Sequence, residues 1–118
     1  MRNGEYGITD NLKKATLELG LLALLSREDM HIAALTETYN RLTGEQGQIV
    51  FPYAAIYRLI EKGYIFESGK RNDANRRRQY LSITDEGRAY LKDMKERYER
   101  YIAGFDSVLR YSETPADQ

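Results

Sequence analysis

At Gly63 the hydrophobic pattern changes period, and that change limits the folds open to this chain more than any other feature. Upstream, Ile56, Leu59 and Ile60 share one face of a predicted helix with Pro52 near its first turn and Gly63 just past its end, the usual asymmetry of helix termini. Downstream the period is two. The segments "YIFES" (64–68) and "QYLSIT" (79–84) are short, rich in aromatic and branched residues, and separated by "GKRNDANRRR". They predict a β-hairpin with a basic tip. Gly69, Asn72, Asp73 and Asn75 are expected to supply the turn, because these residue types tolerate left-handed backbone angles or bond their own backbone. Thr84 then caps a last helix running from Asp85 to about Tyr111. Along it Leu91, Met94, Tyr98, Tyr101, Phe105 and Val108 recur at intervals of three and four, a heptad-like seam.

Ahead of Gly63 two more helices are expected. The first, 9–26, starts near Thr9 or Asp10, and its Leu17, Leu19, Leu21, Leu22, Leu24 and Leu25 cannot share one narrow stripe. Such a helix needs cover on two sides, its own domain on one and a partner subunit on the other. The second starts after Asp29, places Ile32, Leu35, Tyr39 and Leu42 on one face, and stops at Gly44, followed by the polar loop "TGEQGQ". In the third helix Ala54, Tyr57, Arg58 and Glu61 face outward and Tyr53 sits on the shoulder. The order helix, helix, helix, hairpin, long helix is the winged helix-turn-helix plan. The expected fold is therefore mainly α with a small β-hairpin. A winged helix-turn-helix DNA-binding domain spans 1–84, with helix 9–26 also contributing to a dimer, a C-terminal dimerisation helix spans 85–111, and 112–118 form a disordered tail.

Composition narrows the function. A chain of 118 residues, 42% apolar and 31% charged, with no cysteine, reads as one folded cytoplasmic domain without disulfides or thiolate metal sites. Its longest apolar run, "LGLLALL", is bracketed by Glu18 and Ser26 and is too short for a membrane span, and the N-terminus carries no signal-peptide pattern. The single histidine, His31, has no companions for a metal site. With no Ser-His-Asp set, glycine-rich phosphate loop or cofactor fingerprint, neither an enzyme nor a cofactor is expected.

Net charge is zero, yet it is unevenly placed. Between Gly69 and Tyr80, five bases (Lys70, Arg71, Arg76, Arg77, Arg78) meet the single acid Asp73, whereas from Asp85 to Arg100 five bases meet five acids. Clustered base at a wing tip is the electrostatic footprint of double-stranded DNA. Arg76, Arg77 and Arg78 are expected to touch phosphates, with Lys70, Arg71 and Asn72 helping. Tyr53 and Tyr57 can bond phosphate oxygens, Arg58 can reach a phosphate or a guanine edge, and Ala54 is small enough for close approach to a base. The plainer alternatives are a solvated hairpin tip and two half-buried packing tyrosines. At the dimer interface we expect Leu17, Leu21 and Leu24 of the first helix with Leu91, Met94, Tyr98, Tyr101, Ile102, Phe105 and Val108 of the last. The aromatic members can serve as ordinary interface packing or shape an apolar ligand pocket.

The stretch "YAAIYRLIEKGYI" (53–65) resembles the PadR-family signature Tyr-Pro-Ala-Leu-x-Arg-Leu-Glu-x-x-Gly-aliphatic-Ile. The stretch "RRRQYLSITDEGRAYL" (76–91) is similar to that family's basic wing with its Thr-x-x-Gly, and "ATLELGLLALLSREDMHIAAL" (15–35) to its first two helices. The resemblance covers roughly residues 12–110. It implies a homodimeric bacterial transcription regulator, usually a repressor, binding a pseudo-palindromic operator and in many members released by a phenolic or other apolar effector. This chain departs from the pattern at Ile32, Ala33 and Ala34, where a Gly-Tyr-Glu run is common, at Phe51 and Pro52, and at Ala54, where proline is frequent. The rival reading is a winged-helix protein-interaction module whose basic tip docks acidic groups rather than phosphates.

Overall fold

The computed structural model describes residues 7–44 and 48–116. In chain order its elements are α1 (Ile8–Leu25), β1 (Met30–His31), α2 (Ile32–Thr43), α3 (Tyr53–Glu61), β2 (Ile65–Asp73), β3 (Arg76–Ile83) and α4 (Asp85–Tyr111). The strands form one antiparallel sheet in the order β1-β3-β2. This is the winged helix-turn-helix arrangement expected from the sequence, with one addition. Met30 and His31, expected at the start of the second helix, instead pair with Leu81 and Tyr80 as a third strand, and α2 begins at Ile32. Two residues are too few to display a strand period.

The core gathers Leu21, Leu22 and Leu25 of α1, Leu35 of α2, Phe51, Ile56 and Leu59 of α3, and Ile65 and Leu81 of the sheet. Here the expectation for Leu21 is corrected: it is fully buried inside its own subunit and unavailable to a partner, because the Leu21, Leu22 and Leu25 face is the one that meets the core. Leu17 and Leu24 pack at the core's margin and keep some surface. Leu42 is exposed rather than buried. Phe51 closes the core instead, edge-on to Tyr39 at 5.4 Å. The Asn40 amide clamps the chain before Phe51, donating to the Ile49 carbonyl at 2.9 Å and accepting from the Ile49 N–H at 2.8 Å. Residues 45–47 of the expected polar loop lie outside the described residues.

The hairpin is longer than its apolar alternation suggested. The strands run on through polar residues to a two-residue turn at Ala74 and Asn75, with φ of 52° and 70°. Positive φ at both centre positions matches the turn's twist to that of the flanking strands. Asn72 and Asp73, expected in the turn, instead pair with Arg77 and Arg76, and Gly69, at φ 125°, adjoins a ladder irregularity between Glu67 and Gly69. Of the expected tail, residues 112–116 are described, and Ser112, Glu113 and Thr114 continue from α4 in hydrogen-bonded turns.

Thr84 fastens α4 to the end of α3. Its hydroxyl accepts from the Gly87 N–H at 2.9 Å and donates to the Gly63 carbonyl at 2.7 Å. Gly87 is buried so closely against the segment between α3 and β2 that a Cβ would overlap the Tyr64 carbonyl oxygen. The first part of α4 leans on α1 through Leu91 and Met94, and from Lys95 to Tyr111 every residue is exposed. At ~1.5 Å per residue the helix is ~40 Å long, which stretches the molecule to 64 Å. No described helix is long and apolar enough to cross a membrane.

Candidate nucleic-acid interface

The short helix α3 has a strongly divided surface. Ala55, Ile56 and Leu59 face the core, while Tyr53 and Tyr57, one turn apart, are 64% and 54% exposed. Their rings lie near parallel, with centroids 6.2 Å apart. Pro52, extended at ψ 142°, starts the helix and supplies the carbonyl that receives the Ile56 N–H at 3.3 Å.

Between the start of α2, the outer face of α3 and the hairpin lies a groove of about 280 Å³. Tyr53 and Tyr57 line one wall, and Arg77, Arg78 and Gln79 line the other. The structure therefore brings four of the sequence-predicted residues together across one opening. Ala54, Arg58, Lys70, Arg71, Asn72 and Arg76 are not part of its lining. Ala54 is exposed beside Tyr53. Lys70, Asn72 and Arg76 are exposed on the wing itself.

The remaining two cations are occupied. Arg58 donates from Nε to Glu18 of α1 at 2.6 Å, which holds its side chain back against the first helix. Arg71 faces Arg78 directly across the hairpin ladder, a like-charge placement that is unfavourable unless one charge is countered. Asp29 counters it, accepting from Arg71 at 2.9 Å, and the Arg71 guanidinium lies 4.4 Å over the Tyr80 ring. Arg71, and after it the Ser82 hydroxyl, holds the Asp29 carboxyl below its ordinary range. Among the described residues Lys70, Arg76, Arg77 and Arg78 have no ion-pair partner, and the buried Nε of Arg78 has no hydrogen-bond acceptor.

Sequence reading missed the residues behind the wing. His31, given no role by the sequence, is 7% exposed, caps α2, and bonds Asp73 at the wing tip. The contact spans 42 positions, and histidine is not among the common capping residues, so no local pattern announced it. Glu67 also lines the groove, the one acid among the cations there. Chemically the arrangement presents tyrosine hydroxyls and uncompensated guanidinium groups on one rim, a set suited to phosphate oxygens. Among the described residues no cluster of three or more His, Cys, Asp or Glu could hold a metal ion.

On the opposite flank, α1 and α4 enclose an apolar trench. One part, about 310 Å³, is lined by Leu12, Ala15, Leu19, Met94, Tyr98 and Tyr101 among others. A second, about 430 Å³, continues towards α2 past Thr16, Tyr39 and Ile102. Beyond it Phe105 and Val108 stand 45% and 57% exposed on the projecting helix.

Comparison with known proteins gives this geometry a context. The fold is similar to that of a transcriptional regulator from Clostridium thermocellum (25% identity, 82% of this chain and 96% of that one, TM-score 0.72). It is similar also to a PadR-like transcriptional regulator from Bacillus cereus (24% identity, 84% and 96%, TM-score 0.69). Bacillus subtilis PadR, solved in complex with operator DNA, shares the fold at 19% identity over 66% of this chain and 45% of its own, with a TM-score of 0.57. No curated protein matches the sequence. Residues 21–93, from the core face of α1 through the helix-turn-helix and the wing to the start of α4, match the transcriptional regulator PadR-like family, and the chain belongs to that family.

Proposed function

We propose that this protein is a DNA-binding transcription regulator that acts as a homodimer, with α3 in the major groove and the wing on the flanking backbone. The observation that carries the reading is the shared groove. Tyr53 and Tyr57 of α3 and Arg77 and Arg78 of the wing face one opening, which supports a duplex seated on the helix also meeting the arginines. Phosphate contacts of this kind fix register, and sequence is then read by whatever α3 presents to base edges. The operator complex of Bacillus subtilis PadR supports the same use of the shared fold.

The dimer rests on the other flank. The α1–α4 trench and the exposed Tyr101, Phe105 and Val108 form an apolar strip on a helix that projects past its own domain. A second copy related by a two-fold axis would cover that strip and present two α3 helices to a pseudo-palindromic operator, the action of a repressor. The apolar lining of the same trench supports a small apolar or phenolic effector as its ligand. Such an effector would release DNA if it binds better to a subunit arrangement whose half-site spacing mismatches the operator.

The test is fluorescence anisotropy of a duplex from the protein's own upstream region, titrated at several salt concentrations beside a scrambled duplex. Tight, salt-dependent and sequence-selective binding is expected. Absence of binding at low salt would overturn the reading in favour of a module that docks an acidic protein surface.

A further inference from the structure

We infer that His31 and Asp73 are a positioning pair that fixes the angle of the wing against the helix-turn-helix, and thereby sets how sharply the protein distinguishes operator from other DNA. The inference rests on the DNA-binding reading above, but the pair itself is defined by geometry. Asp73 is the last residue of β2, next to the tip turn, and its carboxylate lies 2.8 Å from Nε2 of His31 at the start of α2. The other ring nitrogen, Nδ1, accepts the Ala34 N–H at 3.1 Å. A nitrogen that accepts carries no proton, so the neutral ring holds its proton on Nε2 and donates it to Asp73. One buried side chain thus joins the cap of α2 to the tip of the wing. Its backbone pairs with Tyr80 of β3, and the His31 ring stands edge-on to the Tyr80 ring at 5.3 Å.

The wing needs such a brace. Beyond the ladder irregularity at Glu67 and Gly69, the hairpin from Lys70 to Arg77 is exposed throughout. A lone two-stranded ribbon holds its shape poorly. From Gly69 to Asp73 the arm is ~13 Å long at ~3.3 Å per residue, so a swing of ~10° would carry the tip, and the arginines beside it, by ~2 Å. That exceeds the tolerance of a positioned polar contact. The Asp29–Arg71 pair at 2.9 Å braces the same strand nearer its base.

The sign of the charge separates positioning from simple attraction. Asp73 is the single acid among the five bases between Gly69 and Tyr80. Electrostatics alone would make its removal strengthen binding to every duplex. Positioning makes the opposite demand on the operator: the wing loses its brace, and selectivity falls.

The test compares wild type, Asp73→Ala, His31→Asn and the double variant on the upstream duplex and its scrambled counterpart. Asparagine is a good helix cap but cannot span to Asp73, so His31→Asn keeps α2 started while cutting the brace. Each single variant is expected to narrow the ratio of the two affinities by about tenfold, the scale of one hydrogen bond to a charged group. The double variant should lose no more than either single. If Asp73→Ala binds both duplexes more tightly at an unchanged ratio, or if the two losses add, the pairing is refuted. Amide exchange and 15N relaxation of residues 70–79 judge the pair without DNA. Loosened wing amides in His31→Asn support it, and wild-type order overturns it. Wild type that binds neither duplex, with loosened wing amides in the variant, would discard the DNA reading and keep the pair.

Discussion

Along α4 three ion pairs at i,i+4 counter charge in place, Lys92 with Glu96, Arg97 with Asp93 and Arg110 with Asp106, while the helix leaves uncovered the apolar row of Tyr101, Phe105 and Val108. At the wing the situation is reversed. Beyond the irregularity at Gly69 its backbone ladder runs on to the turn, and what it leaves without a counter-charge is Lys70, Arg76, Arg77 and the half-buried Arg78. Two exposed regions of one small domain are thus unfinished in opposite senses. Burial of apolar area completes the first, and anions complete the second. On the proposed reading, the difference separates the surface that would meet a second copy from the surface that would meet DNA.

The comparison breaks most completely if the scaffold between the regions is removed. Leu59, fully buried under α3, is expected to cost about 2–5 kcal/mol as Leu59→Ala, and chemical denaturation should show both functions lost with the fold. Gly87→Ala forces a Cβ into the Tyr64 carbonyl where α4 meets the end of α3. It should destabilise by about 1–3 kcal/mol, read as a lower urea midpoint.

Tyr101→Lys with Phe105→Lys sharpens the contrast. Both side chains are exposed in one subunit, so the fold should survive while self-association weakens by more than tenfold, as measured by sedimentation. Unchanged self-association would remove α4 from the interface. The smallest effect concerns Asp29, whose carboxyl the Arg71 pair lowers from an ordinary value of 3.8. A lowered folded-state pKa contributes stability that is present above the unfolded value and is lost as pH falls through the folded one. The urea-midpoint difference between wild type and Asp29→Asn should therefore shrink on acidification below about pH 4, and a difference that grew there would contradict the pairing.

Much of this architecture was legible in the sequence, and what was hidden has physical reasons. The Pro52 and Gly63 boundaries of α3, the Thr84 cap and the seam of α4 are local signals, and the structure places its elements by them. The length of the hairpin was not legible. Its outer half alternates among Lys, Arg, Asn and Asp, residues that read as loop although their backbones complete a ladder. The role of Leu21 was hidden because leucines surround α1, and only the packed core separates Leu21 from Leu17 and Leu24. Arg71 and Arg77 look alike in sequence. Only the register shows that one is neutralised by Asp29 and the other faces the groove with Tyr53 and Tyr57. Likewise His31 and Asp73 meet across 42 positions, where no spacing rule operates.

The central claim is that the wing and α3 grip one duplex together. It is tested most directly by the salt dependence of binding to the upstream duplex, for wild type beside the Arg77→Ala, Arg78→Ala double variant. Each phosphate contact contributes about 0.9 to the slope of log affinity against log salt. The variant is expected to bind more weakly at low salt with its slope reduced by about 2. An unchanged slope and affinity would show that Arg77 and Arg78 do not touch the backbone, and would contradict the assignment of the groove to DNA.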